Sequence, residues 1–148
     1  MMKDIKFQEM METDISLDVQ DITAEEQTPN GQWLKLDEFR RAVAVMVTEK
    51  GPATDPGIVT LQLRQAKDED GDAAKDLGDE VQVTLATDEA GLLIAEAEVA
   101  DLDHDNDFNY IGVQVESAET CEAGVVIHRF YGRYKDGDYD EASKIDLS

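Results

Sequence analysis

The sequence is short of cysteine, of basic residues and of tryptophan, and it has no long apolar run. Its single cysteine, Cys121, cannot close a disulfide within the chain, which excludes a disulfide-stapled secreted scaffold. Lys and Arg number 13 against 35 Asp and Glu, a net charge of −22 at pH 7. Phosphate binding needs Lys and Arg to displace counterions, so a nucleic-acid binder is excluded. Docking on an anionic membrane surface is excluded for the same reason. No apolar stretch approaches the roughly 20 residues of a membrane span. Met1-Met2-Lys3-Asp4-Ile5-Lys6 is not followed by the apolar stretch of a signal peptide.

Catalytic chemistry is missing as well. There is no Gly-x-Ser-x-Gly elbow, no phosphate loop and no dinucleotide fingerprint. Cys121 sits beside Glu119 and Glu122, the reverse of the electropositive setting that a reactive thiolate needs. His104 and His128 are the only histidines, and a zinc site takes three or four N or S ligands. Acid pairs for glycoside hydrolysis abound in such a chain, but a sugar cleft also wants aromatic platforms, and Trp33 is the only tryptophan. No enzyme, catalytic residue or cofactor is expected.

What is present is a period of two. The 148 residues make about one domain and can bury about two-thirds of the unfolded surface. Ile15, Leu17 and Val19 alternate with Asp14, Ser16, Asp18 and Gln20. The same alternation runs through Val81, Val83 and Leu85, through Leu93, Ala95, Ala97 and Val99, and through Ile111, Val113 and Val115. On a strand this gives one apolar and one wet face, the pattern of antiparallel sheets packed on one side. Further strands are expected over 32–36, 40–48, 58–65 and 125–131. Residues 41–47 and 92–99 also suit a helix. Alternating valines favour a strand for the first and two-residue alternation favours it for the second.

Turn chemistry separates the runs: Pro29-Asn30-Gly31, Gly51-Pro52, Asp55-Pro56-Gly57, Asp70-Gly71-Asp72, Gly78-Asp79 and Glu89-Ala90-Gly91. About eight short strands joined this way predict an all-β fold, an antiparallel β-sandwich of jelly-roll-like type. The expected organisation is an N-terminal arm over 1–12, a sandwich domain over 13–134 and a polar tail over 135–148.

Two places invite a binding reading. Asp101, Asp103, Asp105 and Asp107 alternate along an acidic stretch, as ligands converging on calcium would. The EF-hand pattern fails there, because Asn106 stands where Gly is needed and Gly112 where a bidentate Glu is needed. An acidic inter-strand loop with no metal is the favoured reading. Asp68-Glu69-Asp70-Gly71-Asp72 reads as the solvated tip of a hairpin. The second place is His128-Arg129-Phe130-Tyr131-Gly132-Arg133-Tyr134-Lys135, a basic and aromatic cluster in a very acidic chain. Tyr and Arg favour interface hot spots, so Arg129, Tyr131, Arg133 and Tyr134 are candidates for contact with a neighbouring subunit. Equally, the arginines can pair internally with surplus acids while the aromatics join the core. Phe7, Met10 and Met11 in the arm are further interface candidates.

The order of motifs resembles a known class. Trp33-Leu34-Lys35-Leu36 precedes Phe39-Arg40-Arg41, and Val59-Thr60-Leu61-Gln62-Leu63-Arg64-Gln65-Ala66 leads through an acidic tip to Ala74-Lys75-Asp76-Leu77. Ala100-Asp101-Leu102-Asp103 is followed by Phe108-Asn109-Tyr110-Ile111-Gly112-Val113, and the pattern closes on Tyr131-Gly132-Arg133-Tyr134. Over residues 30–135 this is similar to the small virion structural proteins of tailed bacteriophages. The resemblance implies a head decoration, or cement, protein that binds the outer face of the major capsid protein shell, with neighbouring copies or a homo-oligomer as further partners. Such a protein is made in the host cytoplasm and ends on the virion exterior. The acidity agrees, since a chain of this charge is repelled by packed DNA. A tail or fibre-base component, and a calcium- or carbohydrate-binding sandwich, are the alternatives.

Overall fold

A computed structural model describes residues 11–23, 31–36, 38–52 and 54–131. They form nine strands: β1 Met11–Ile22, β2 Leu34–Lys35, β3 Arg41–Lys50, β4 Gly57–Ala66, β5 Lys75–Asp76, β6 Val81–Leu85, β7 Ala90–Glu98, β8 Tyr110–Ser117 and β9 Cys121–Phe130. The only helical pieces among the described residues are 3₁₀ turns at Val99–Asp101 and His104–Asn106. The all-β expectation holds, and both ambiguous segments, 41–47 and 92–99, are strand over most of their length. The strand expected over 32–36 shrinks to Leu34–Lys35, and the short β5 was not foreseen.

Two antiparallel sheets result. One has the order β1-β9-β3-β7. In the other, β2-β8-β4-β5, strand β6 also pairs with β4. Leu36, Leu61, Leu63, Ile111, Val113 and Val115 meet Ala42, Ala44, Met46, Ala95, Val125 and Ile127 in a single apolar core. Trp33 lies against two glycines. A Cβ at Gly112 would stand 2.7 Å from the indole, and one at Gly71 2.5 Å from Nε1. Gly71 also has φ +82°, so the acidic hairpin tip needs glycine for both space and backbone.

Strand β1 breaks the simple alternation. It pairs with β9 from Met11↔Phe130 to Ile22↔Cys121, with register shifts between Ile15 and Leu17 and between Leu17 and Gln20. These bulges re-aim side chains. Ile15 and Val19 face outward while Leu17 is buried, so the three residues do not share the single apolar face expected of them.

One part-buried cluster ties β1 down. The Arg129 guanidinium reaches Asp14 at 2.7 Å and Glu12 at 3.1 Å, and it donates to the Lys35 carbonyl at 2.7 Å. It lies over the Phe39 ring, 4.6 Å from the centroid. Phe39 in turn stacks on Tyr131, whose hydroxyl donates to Glu12 at 2.7 Å. Burial pushes the Tyr131 phenol up to about 12, and the hydrogen bond to Glu12 adds to the shift.

Candidate functional site

The outer face of the β1-β9-β3-β7 sheet is where the structure departs most from a wet surface. Registers across the four strands define its rows. Ile15, Val126, Val45 and Ile94 stand opposite one another in sequence, one per strand. The next row holds Gly124, Val47 and Leu92, with Val19 of the bulged β1 leaning over Gly124. A Cβ at Gly124 would come within 2.8 Å of a Val19 methyl, so only glycine lets β1 close over β9 here. Ile15, Val19, Val47, Leu92 and Ile94 are 53% to 70% exposed. A hollow of about 420 Å³ opens among Ile15, Val19, Val47, Gly124 and Val126.

The rows on either side bring in polar and charged groups. Towards one end, Asp21, Glu122 and Glu49 stand directly opposite one another on β1, β9 and β3. Like charges placed opposite each other across strands are destabilising, and this row contains no basic residue. Towards the other end stand Thr13, His128, Val43 and Glu96, then Met11, Phe130, Arg41 and Glu98. His128 Nδ1 and Thr13 Oγ1 are 2.9 Å apart, and Arg41 lies over the Phe130 ring at 5.0 Å.

An apolar block bordered by acid has a plain chemical capacity. Monomeric proteins rarely expose contiguous apolar patches of this kind unless they serve binding. Burying these side chains is worth on the order of 1 kcal/mol each. A partner offering Lys or Arg beside apolar groups would also relieve the row Asp21, Glu122 and Glu49.

Of the residues singled out by sequence, Arg129 and Tyr131 lie elsewhere. They belong to the part-buried cluster that ties down β1, where they contact Glu12, Asp14 and Phe39. Met11 is buried against the sheet. Phe7, Met10, Arg133 and Tyr134 lie outside the described residues.

The alternating acids do not converge. The Asp103 carboxylate takes Lys75 Nζ at 2.5 Å and Asn106, contacts that hold it below the usual carboxylate range, Lys75 first. Asp101 accepts from the Glu98 amide, and Asp107 is a left-handed cap residue. Among the described residues no three His, Cys, Asp or Glu side chains come together as metal ligands. His104 is held by the Val99 carbonyl and Asn109, and Cys121 is buried beside Ser117.

Sequence reasoning missed the apolar face because it assigned one wet face to every strand. The signal was present in β3, where Ala42-Val43-Ala44-Val45-Met46-Val47 is apolar at both parities.

No protein-family model and no curated protein matches the sequence. Solved structures do match in fold. The chain aligns with infectious bursal disease virus-derived T=1 particles at TM-score 0.52 and 10% identity, over 90% of this chain and 34% of that one. A D431N mutant of the VP2 protein of the same virus, also in derived T=1 particles, gives TM-score 0.51 and 11% identity, over 91% and 35%. The Gx strain of that virus gives TM-score 0.50 and 10% identity, over 87% and 34%. The chain thus spans about a third of the length of these viral chains, with which it shares the β-sandwich fold.

Proposed function

We propose that this chain is a non-enzymatic structural component of a virion, a decoration protein that binds the outside of a capsid shell and strengthens it. The observation that carries the reading is the exposed apolar block on the β1-β9-β3-β7 sheet of a chain with net charge −22. A protein so acidic has no need of Val, Ile and Leu on its surface for solubility. Their concentration on one sheet face fits a surface that is covered in assembly. The fold shared with a viral particle protein supports the same setting.

The mechanism is geometric. The apolar rows seat on side chains of the shell surface, and Asp21, Glu49 and Glu122 meet its Lys and Arg. The remaining acids face solvent, and repulsion from the genome keeps the chain on the exterior. Each copy that touches two shell subunits adds contacts that internal pressure must break, and symmetry multiplies weak contacts into avidity.

The test uses virions that carry the chain. They are stripped of it and the shells are heated with and without purified protein added back. Wild type restores heat resistance in many copies per particle. A Val19→Asp, Val47→Asp double variant retains its β spectrum and does not rebind. Virions that lack the chain, or stripped shells as heat-resistant as intact ones, overturn the reading.

A further inference from the structure

The two edges of the four-stranded sheet are built differently. An edge strand offers unpaired amide and carbonyl groups to any passing strand, and natural proteins blunt it with bulges, proline, charge or cover. At the β1 edge the strand carries two register shifts and the acids Asp14, Asp18 and Asp21. The β7 edge has no register shift, and its acids, Glu96 and Glu98, stand towards its C-terminal end. Its pairing with β3 runs unbroken from Arg41↔Glu98 to Glu49↔Ala90. The strand contains no proline and no lysine. Among the described residues it pairs on one side only.

Its sequence is also compatible with itself. We infer that β7 pairs antiparallel with β7 of a second copy, centred on Ile94, so that two sheets join into one of eight strands. In this register all nine residues of Ala90–Glu98 have partners. Ile94 faces Ile94, Leu92 faces Glu96, Ala90 faces Glu98, and Leu93 faces Ala95. No acid stands opposite an acid, which would be destabilising. Moving the centre two residues towards the C-terminus sets Glu96 against Glu96. Moving it two residues the other way sets Glu96 against Asp88. Centring on Leu93 sets Glu98 against Asp88, and centring on Ala95 opposes no acids but pairs only seven of the nine residues, so like charges and full pairing together select the register on Ile94.

Directly opposed residues of an antiparallel pair project on the same side of a sheet. The outward rows of the two copies therefore join, and Ile15, Val126, Val45 and Ile94 continue into Ile94, Val45, Val126 and Ile15 of the second copy. The apolar face doubles in width around a two-fold axis. This pairing stands on the edge and its register, whatever the doubled face binds.

Cysteine placed at the axis tests it in the full chain, because the natural thiol of Cys121 is buried. In the Ile94→Cys variant the two new residues lie opposite each other with Cβ atoms about 5 Å apart. In Leu92→Cys, a comparably exposed position, the two lie about 14 Å apart along the strands. Mild oxidation is expected to convert Ile94→Cys to a covalent dimer on a non-reducing gel and to leave Leu92→Cys a monomer. Wild type is expected to sediment as a reversible dimer that tightens as salt screens the charge. Ile94→Lys, which opposes two ammonium groups at the axis, should sediment as a folded monomer. Cross-linking of both cysteine variants alike, cross-linking of neither, or a wild type that stays monomeric at high concentration and high salt overturns the inference.

Discussion

The inner and outer faces of the β1-β9-β3-β7 sheet invert the usual expectation about size. On β3 and β7 the buried positions include four alanines, Ala42, Ala44, Ala95 and Ala97, beside Met46, Thr48, Lys50 and Leu93. The outward positions of the same strands carry Val43, Val45, Val47, Leu92 and Ile94. Alanine inside leaves room for the leucines and the isoleucine of the opposite sheet, since two packed sheets share one close-packed layer. The larger side chains stand outside, where within this chain they pack only on each other across strands. Hydrophobicity therefore does not tell the two faces apart. The inner one completes a core, and the outer one stays exposed.

The sharpest way to break this comparison is to truncate neighbours on opposite faces. Met46→Ala should lower the free energy of unfolding by about 2–5 kcal/mol, because it opens a cavity in the core. Val47→Ala, one residue on, should change it by no more than about 0.5 kcal/mol. Urea titration of the isolated protein reads both. Equal losses would mean that the outer face is already part of a packed interior.

The second effect concerns the cluster under β1. Tyr131→Phe removes a hydrogen bond to Glu12 and should cost about 1 kcal/mol near neutral pH. The phenol is raised from 10 to about 12 in the folded chain, so the folded state keeps its proton after the unfolded state has lost it. The stability linked to this shift is fully present below pH 10 and is lost as pH climbs to 12. Wild type should lose stability faster than Tyr131→Phe across that window. Parallel curves in a pH series of thermal melts would place Tyr131 outside this cluster.

The smallest effect has the opposite sign. Glu122→Gln removes a charge that faces both Asp21 and Glu49 and should stabilise the isolated chain by about 0.2–1 kcal/mol. The same change should weaken rebinding to stripped shells and flatten its dependence on salt. A variant that is more stable and binds just as well would remove charge complementarity from the docking face.

Much of this was legible in the residues, and what was not shares a cause. Runs such as Ile111 to Val115 and Leu93 to Ala97 announce strands because alternation is a local property, and the turn residues between them are local too. The bulges in β1 are not local. Ser16 and Asp18 look like ordinary wet positions, and only pairing with β9 shows that the strand shifts register around Leu17. Arg129 and Tyr131 could equally have served an interface or the interior. Their contacts with Glu12 and Asp14, more than a hundred positions away, emerge only when β1 pairs with β9.

The amino-acid sequence by itself determined that the chain would be all-β, because side chains of period two and turn residues act over a few positions. It also determined that the surface would be strongly anionic, because charge is a sum. Which face of each strand would be buried was decided only by tertiary structure. A period of two defines two faces and leaves their roles open until a second sheet packs on one of them.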